Sequence, residues 1–267
     1  MKIIEEIVGQ EKILNKLEII IKEHKQNKTP FPFILIIGKK GMGKCKISKW
    51  IHSHFDSNAI GVMNALFFNK NSLPFLSNFS YQQIDHTSCL FKPENVGKKS
   101  QKFLDFIFKR DLDNINKTLI KVDKLNKNST YQYNAELLPI TLEQLNNFRF
   151  ICLTKSKNDL SKKLLNKFDY IFEIEPYTYK QIKLILHKDL MHTNNYFTNN
   201  TIKHIIYHSK LNPEIAKLLL KFADMKLDND ELVSKTDLKE LFNKFNIYNL
   251  TNDQILDLCF KHDCMVY

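Results

Sequence analysis

The chain has 267 residues, of which 43% are hydrophobic and 12% aromatic, and this composition excludes a globally disordered protein. Its 40 lysine and arginine residues against 29 acidic ones give 40 − 29 = +11, a charge that favours a polyanionic partner such as nucleic acid. A biased genome composition rich in Lys, Asn and Ile explains the same charge equally well, because net charge alone does not indicate specific binding.

Cysteine usage and hydropathy predict a cytoplasmic protein without a membrane span. The five cysteines are scattered and odd in number, and no CxxC pair or Cys/His cluster predicts a zinc site. The longest apolar run is too short to cross a bilayer. Met1-Lys2 leads directly to Glu5 and Glu6, so no signal or transit peptide is predicted.

The first predicted element is an amphipathic helix within residues 5–24. Its apolar residues recur at helical spacing, namely Ile13, Leu14, Leu17, Ile20 and Ile21. A polar linker over 26–32, bounded by proline, then leads to a buried strand over 33–37.

A glycine-rich loop follows that strand, and a helix is predicted after it over 47–55. The loop reads Gly38-Lys39-Lys40-Gly41-Met42-Gly43-Lys44-Cys45. Gly38, Gly43 and Lys44 have the spacing of a phosphate-binding P-loop, in which backbone N–H groups surround phosphate oxygens and the lysine reaches the outer phosphates. The last position normally holds Ser or Thr, whose hydroxyl binds Mg²⁺. Here it is Cys45, and a thiol is a poor ligand for a hard ion that prefers oxygen.

Buried strands and helices alternate through the next part of the chain, which predicts an α/β fold with a parallel sheet. Residues 56–80 are expected to form an irregular, loop-rich insertion. The further predicted elements are an amphipathic segment over 100–108, a strand over 118–123, a helix over 137–145, and strands over 148–154 and 170–174. From residue 179 onward the pattern is helical, over 181–190, 201–209, 213–225, 235–244 and 252–260.

An acidic residue, Asp123, ends the strand predicted over 118–123. Downstream of a P-loop, a carboxylate at a strand end is where the second nucleotide motif belongs, holding Mg²⁺ through water. The alternative is a strand-end acid in a turn.

Two other groups of residues have the spacing or charge of a possible site. His204 and His208 share a helical face, but with no third ligand in view a solvated or half-buried pair is expected. The pairs Lys39-Lys40 and Lys98-Lys99 are expected to be solvated surface, although such pairs can contact DNA phosphates.

In this order of motifs the chain resembles the AAA+ ATPases, and within them the RuvB branch-migration motors. The resemblance rests on Glu5 to Gln10, the loop from Gly38 to Lys44, and the stretch from Leu164 to Asp169. It implies a P-loop AAA+ αβα core over 1–173, a helical lid over 174–248, and the start of a winged-helix domain over 249–267.

The resemblance also implies the site residues of an ATP or ADP complex with Mg²⁺. Adenine would lie against Ile7, Val8, Gly9 and Gln10, with Tyr177 as a tyrosine of the lid beside the nucleotide. The phosphate-binding residues would be Gly38, Gly41, Met42, Gly43, Lys44, Cys45 and Lys46. Cys45 and Asp123 fall on the metal-binding positions. Asp123 and Thr154 fall on the catalytic positions, Thr154 as the polar first-sensor residue.

Several residues differ from those of the family's motifs, and each difference is expected to weaken hydrolysis. The residue after Asp123 is Lys124 where the family has a glutamate, which would polarise the attacking water. The arginine finger falls on Leu165 and the second-sensor arginine on Glu214. A hairpin on which a RuvA-like partner docks has no room between Leu145 and Phe148.

The sequence therefore predicts a RuvB-like protein that binds ATP or ADP and drives Holliday junction branch migration on branched DNA, within a homo- or hetero-oligomeric ring, with weakened hydrolysis. Two alternatives stay open. One is a non-hydrolysing AAA+ subunit that serves as a structural or binding part of a DNA-processing assembly, as clamp-loader accessory subunits do. The other is a degenerating copy with little function.

Overall fold

The computed structural model of the chain has two compact units. The first comprises residues 1–5, 12–39 and 44–174, and the second comprises 6–11, 40–43 and 175–267. The structure describes residues 7–27, 29–55, 60–64, 88–92, 109–110, 113, 149–160, 162–227 and 232–261.

A five-stranded parallel sheet forms the centre of the first unit. Its strands are β1 (Ile34–Ile37), β2 (Ile60–Asn64), β3 (Ser88–Lys92), β4 (Arg149–Thr154) and β5 (Tyr170–Glu173). They lie in the order β2-β3-β4-β1-β5, and every pair is parallel. All four residues of β1 are buried, which is the pattern of an inner strand in a parallel sheet.

This sheet confirms the predicted α/β fold class and the strands predicted over 33–37, 148–154 and 170–174. The prediction of an irregular stretch over 56–80 is wrong for 60–64, which form β2, and β3 was not predicted. Both strands are short and have no clear alternation of apolar and polar residues, so periodicity could not reveal them. The segments predicted over 100–108, 118–123 and 137–145 lie outside the described residues.

The described elements up to residue 174 also include helices α1 (Glu11–Asn27), α2 (Lys44–Ser53) and the single-turn α3 (Lys162–Leu165), and a 3-10 turn over Lys157–Asp159. The apolar stripe of α1 is confirmed, with four buried residues: Ile13, Leu17, Ile20 and Ile21. The remaining member of the predicted stripe, Leu14, is half-buried.

The start of β1 is fixed by Asp169 and Arg110. Asp169 accepts a hydrogen bond from the backbone N–H of Phe33 at 2.7 Å, and its own N–H donates to the Phe33 carbonyl at 3.0 Å. The Arg110 guanidinium donates to the Phe31 carbonyl at 2.8 Å and lies over the Phe33 ring. Burial lowers the pKa of Arg110, and the charge of Asp169 opposes that shift. These contacts fix the backbone just before the first residue of β1.

The second unit is mostly helical. Its elements are α4 (Tyr179–Leu190), β6 (Tyr196–Phe197), α5 (Asn199–His208), α6 (Pro213–Lys226), β7 (Leu232–Val233), α7 (Lys235–Lys244) and α8 (Asn252–Lys261). The five helices predicted from residue 179 onward are confirmed. The parallel pair of β6 and β7 was not predicted, because two residues are too few to show a period.

Side-chain caps explain where these helices begin. Thr178 and Ser234 each accept from a backbone N–H of the first turn and complete a capping box with Gln181 and Asp237. The central helix is α6, most of whose residues are buried. Helix α8 packs against it, with the Cys259 Sγ 3.9 Å from the carbonyl of Leu218.

The domain boundaries expected at residues 173 and 248 stay predictions. In the described part of the chain, no helix is long and apolar enough to cross a membrane.

His204 and His208 lie in an aromatic cluster with Phe242 and Tyr248. The two imidazole rings are 4.4 Å apart between centroids, and a hydrogen bond of 3.0 Å joins the His204 Nε2 to the Tyr248 hydroxyl. The expected half-buried pair is confirmed. Within the described residues, no group of three or more His, Cys, Asp and Glu side chains could hold a metal ion.

We expect the free energy of unfolding to fall as the pH is lowered from 6.5 towards about 4. The pKa of His204 is lowered from 6.5 to about 4, by burial first and then by the positive charges of His208, Lys235 and Lys239. The unfolded chain therefore takes up a proton at a pH where the folded chain does not, so stability is kept above pH 6.5 and lost below it. Urea unfolding at several pH values in this range measures how steeply the free energy of unfolding depends on pH.

The matched variant is His204→Gln, which removes the titrating group and keeps a polar side chain. Its unfolding free energy should depend less steeply on pH than that of the wild type in the same range. An unchanged slope would mean that other groups, such as His208, whose pKa burial also lowers, carry the whole effect.

Candidate phosphate-binding site

The glycine-rich loop joins the end of β1 to the start of α2, as predicted. Gly38 begins it, and its N–H donates to the carbonyl of Thr154 at 3.0 Å, in line with the register between β1 and β4. Gly41 and Gly43 have φ angles of 82° and 83°. Residues with a side chain rarely adopt such angles, so the turn requires glycine at both positions.

Lys44 is the first residue of α2, and its ammonium group turns back into the loop. It donates to the carbonyls of Gly38 and Lys39, the latter at 2.9 Å. The lysine therefore already lies where a charged group can meet phosphate oxygens, which are stronger acceptors than a backbone carbonyl.

The next two residues, Cys45 and Lys46, are exposed in the first turn of α2, and Met42 is half-buried. The thiol of Cys45 stands where a P-loop normally places a hydroxyl for Mg²⁺. Sulfur is a poor match for that ion, so the donor set present here does not fit a magnesium site through Cys45. Asp123, the other predicted metal ligand, lies outside the described residues.

The segment predicted to contact adenine is held to the start of the helical unit by Gln10. Its side-chain amide donates to the Glu175 carbonyl at 2.8 Å, and the Glu175 N–H donates to the Gln10 carbonyl oxygen at 2.9 Å. Gln10 is 5% exposed and has a φ of 66°, while Ile7 and Val8 are half-buried. A left-handed non-glycine residue is uncommon, and here the paired hydrogen bonds support it.

Gly9 and Gly43 both lie close to Tyr177. A Cβ added at Gly9 would be 3.3 Å from Tyr177 Cε1 and 3.0 Å from the Gln181 amide nitrogen. A Cβ added at Gly43 would be 3.1 Å from the Tyr177 hydroxyl. Burial raises the pKa of Tyr177. A tyrosine hydroxyl is protonated at neutral pH in any case, so it can donate a hydrogen bond beside the loop.

The predicted first-sensor residue, Thr154, is buried at the carboxyl end of β4. In register it is the partner of Ile37, the last residue before the loop. Its hydroxyl donates to the Ser156 carbonyl at 3.2 Å. The sheet therefore places Thr154 next to the start of the loop, and its role as a first sensor stays a prediction.

The positions expected to have lost an arginine can be located in part. Leu165 ends the short helix α3 and is half-buried, and Glu214 lies in the first turn of α6, also half-buried. Neither side chain can supply a positive charge. Lys124 lies outside the described residues.

The main contact to the tip of the loop comes from Asn212, which sequence analysis did not assign to the site. Its amide nitrogen donates to the Lys40 carbonyl at 2.9 Å, while its oxygen caps α6 by accepting from the N–H groups of Glu214 at 3.1 Å and Ile215 at 3.3 Å. The Asn-Pro pair before a helical pattern predicts the cap. Nothing in the local sequence indicates the contact with Lys40, 172 residues away.

Residues 34–176 match the family model described as "ATPase family associated with various cellular activities (AAA)". The chain belongs to this family. Membership of an ATPase family implies that the loop binds a nucleotide, and the glycine conformations fit that role.

Curated relatives of the chain are RuvB proteins at low identity. The Holliday junction branch migration complex subunit RuvB of Phytoplasma mali is 24% identical over 250 residues, which cover 89% of this chain and 68% of the relative. The same subunit of Campylobacter lari is 26% identical over 251 residues, covering 92% of this chain and 69% of the relative. Within the AAA family, the chain is therefore similar to RuvB, as the resemblance implied.

Solved structures agree on the fold. The Thermotoga maritima RuvB Holliday junction branch migration motor has a TM-score of 0.65 and 17% identity, covering 92% of this chain and 73% of that one. The FIGL-1 AAA domain in complex with ADP has a TM-score of 0.54 and 13% identity, covering 95% of this chain and 87% of that one.

Proposed function

We propose that the chain binds ATP or ADP at the loop from Gly38 to Lys46 and acts on branched DNA as a RuvB-like protein with weakened hydrolysis. The observation that carries this proposal is the conformation of the loop, with left-handed Gly41 and Gly43 and the Lys44 ammonium turned inward. That arrangement suits a polyphosphate and little else.

Each part of the proposed nucleotide site has a role that follows from its chemistry. The N–H groups of Gly41, Met42 and Gly43 would surround phosphate oxygens, and Lys44 would neutralise their charge. The adenine would lie against the segment of Ile7, Val8, Gly9 and Gln10, which the side chain of Gln10 fixes to the backbone of Glu175. The protonated hydroxyl of Tyr177 would donate next to Gly43.

The proposal includes slow hydrolysis because the groups that accelerate phosphoryl transfer are replaced. Leu165 and Glu214 take the places of two arginines, and an arginine finger raises turnover by about a thousandfold or more where it is used. Lys124 cannot accept a proton from the attacking water while it is charged. Cys45 is a poor ligand for Mg²⁺, so metal binding would depend on Asp123. Thr154 would sense the nucleotide at the end of β4.

The biological setting is proposed from the relatives, each of which is the Holliday junction branch migration complex subunit RuvB of its organism. By that likeness the chain would act on Holliday junctions in DNA recombination and repair, in the cytoplasm, and assemble as an oligomeric ring. A RuvA-like partner is part of the same proposal. The net charge of +11 supports an interaction with DNA.

A second candidate is a non-hydrolysing AAA+ subunit of a DNA-processing assembly. The observation that favours it is Glu214, whose Cβ would be 2.9 Å from a Cβ added at Gly41 in the loop. The carboxylate attached to this Cβ would oppose the negative charge that develops in hydrolysis at a neighbouring phosphate site. In that case the nucleotide would be a structural ligand.

The proposal is tested by measuring binding and turnover on the same preparation. We expect calorimetry to detect binding of ATP and ADP, and steady-state ATPase activity to be far below that of an intact RuvB from a relative, assayed in parallel. Addition of a four-way DNA junction should stimulate the activity if the protein is a weak motor. Binding without any turnover would select the second candidate.

Two results would contradict the proposal. If neither nucleotide bound, the loop would not be a nucleotide site. If the wild type hydrolysed ATP as fast as the intact relative, the substitutions at 124, 165 and 214 would not have weakened hydrolysis.

A further inference from the structure

The first turn of α6 lies against the tip of the phosphate loop, and Asn212 holds it there. The amide of Asn212 bonds to the Lys40 carbonyl, while its oxygen caps the helix, so one buried side chain fixes both partners. The fit is close, because a Cβ added at Gly41 would be only 2.4 Å from the Asn212 oxygen. The first turn of α6 therefore packs tightly against the backbone of Gly41.

Glu214 is the residue that this arrangement places beside the loop. Its Cβ would be 2.9 Å from a Cβ at Gly41, and its side chain is half-buried. Among the described residues, no cation forms an ion pair with Glu214. Because the carboxyl carbon of a glutamate is only two bonds beyond its Cβ, this side chain brings a negative charge into the neighbourhood of the backbone that would cradle phosphates.

A second acidic residue reduces the positive charge at the same tip. The Lys40 ammonium lies 3.7 Å from the carboxylate of Asp253, at the start of α8, and both side chains are largely exposed. A solvated pair of this kind stabilises little, but it offsets one of the lysine charges of the loop. Lys44, in contrast, is held inside the loop by its bonds to the carbonyls of Gly38 and Lys39.

We propose that Glu214, positioned beside Gly41 by Asn212, makes the loop favour a nucleoside diphosphate over a nucleoside triphosphate. The inference rests on the proposed nucleotide site and specifies its ligand. A triphosphate carries more negative charge than a diphosphate, so repulsion from a fixed carboxylate penalises it more. Because Glu214 is partly solvated, the expected effect on relative affinity is moderate, about threefold to tenfold.

The test is the ratio of the dissociation constants for ATP and ADP, measured by calorimetry in the wild type and in Glu214→Gln, with and without Mg²⁺. The wild type should bind ADP more tightly than ATP. Glu214→Gln keeps the size of the side chain and the Asn212 cap, and it should lower the ratio about threefold to tenfold. Glu240→Gln, the same charge change on the exposed side of α7, should leave the ratio unchanged.

Asn212→Ser tests the positioning step separately. Serine can still cap α6 but is too short to reach Lys40, so the ratio should move in the same direction as in Glu214→Gln. A merely structural role would weaken both nucleotides equally and leave the ratio as it was.

Failure of this inference can be told apart from failure of the proposed function. If both nucleotides bind and Glu214→Gln has the wild-type ratio, or if the wild type prefers ATP, the inference is overturned and the nucleotide site stands. If the wild type binds neither nucleotide, the proposed function falls, and the inference falls with it.

Discussion

Replacing Lys44 by alanine is expected to weaken the binding of ATP and ADP about a hundredfold. The ammonium is the charged group that the fold turns into the loop, through its bonds to the carbonyls of Gly38 and Lys39. Losing a charged partner of a buried or half-buried anion costs about 3 kcal/mol, which corresponds to about a factor of 100 in affinity. Calorimetry with each nucleotide measures the change.

Lys49→Ala is the matched control, because Lys49 is an exposed lysine on the same helix α2 and carries the same charge. It should bind both nucleotides with nearly wild-type affinity. If the two variants lost affinity equally, the effect would come from the general positive charge of the surface, and Lys44 would have no special position.

Replacing Gly41 by alanine is expected to destabilise the protein by about 3 kcal/mol or more and to weaken nucleotide binding. Two separate costs add. A side chain at a φ of 82° costs about 1–2 kcal/mol, and a Cβ 2.4 Å from the Asn212 oxygen forces the loop tip or the α6 cap to move. Urea unfolding of the nucleotide-free protein measures the stability.

Two further variants separate these costs. Gly38→Ala has neither a positive φ nor a contact below 3.1 Å, its nearest atom being the Cβ of Ile174, so it should destabilise less. Adding Asn212→Gly to Gly41→Ala removes the closer of the two crowding side chains, leaves the Cβ of Glu214 at 2.9 Å, and still leaves an acceptable helix cap. The double variant should therefore be more stable than the sum of the two single changes predicts. Strict additivity would mean that the contact with Asn212 contributes nothing.

Local patterns in the sequence were sufficient for the phosphate loop and for most of the helices. The unbroken apolar run of β1, the glycine spacing and the amphipathic stripe of α1 are features of neighbouring residues, and all of them appear in the structure. The caps of α4 and α7 follow from the Thr or Ser before each helix. These features depend on local geometry, so a single sequence reveals them.

Contacts between residues far apart in the sequence could not be predicted from such local patterns. The hydrogen bond from Asn212 to Lys40 and the paired bonds between Gln10 and Glu175 join residues more than 160 positions apart. The resemblance places Gln10 beside adenine, but it gave no sign that the Gln10 side chain also bonds to the backbone of Glu175. Tertiary folding decides such pairs, and neither periodicity nor composition records them.

The strand order of the sheet has a consequence for how the chain folds during synthesis. The fully buried strand β1 lies between β4 and β5, which follow it by more than 100 residues. A ribosome therefore releases Ile34 to Ile37 long before either neighbouring strand exists, and these apolar residues and their unpaired backbone groups must wait for their partners. During this interval the nascent chain exposes an aggregation-prone strand, so its yield in a cell should depend on chaperones that shield the growing N-terminal half.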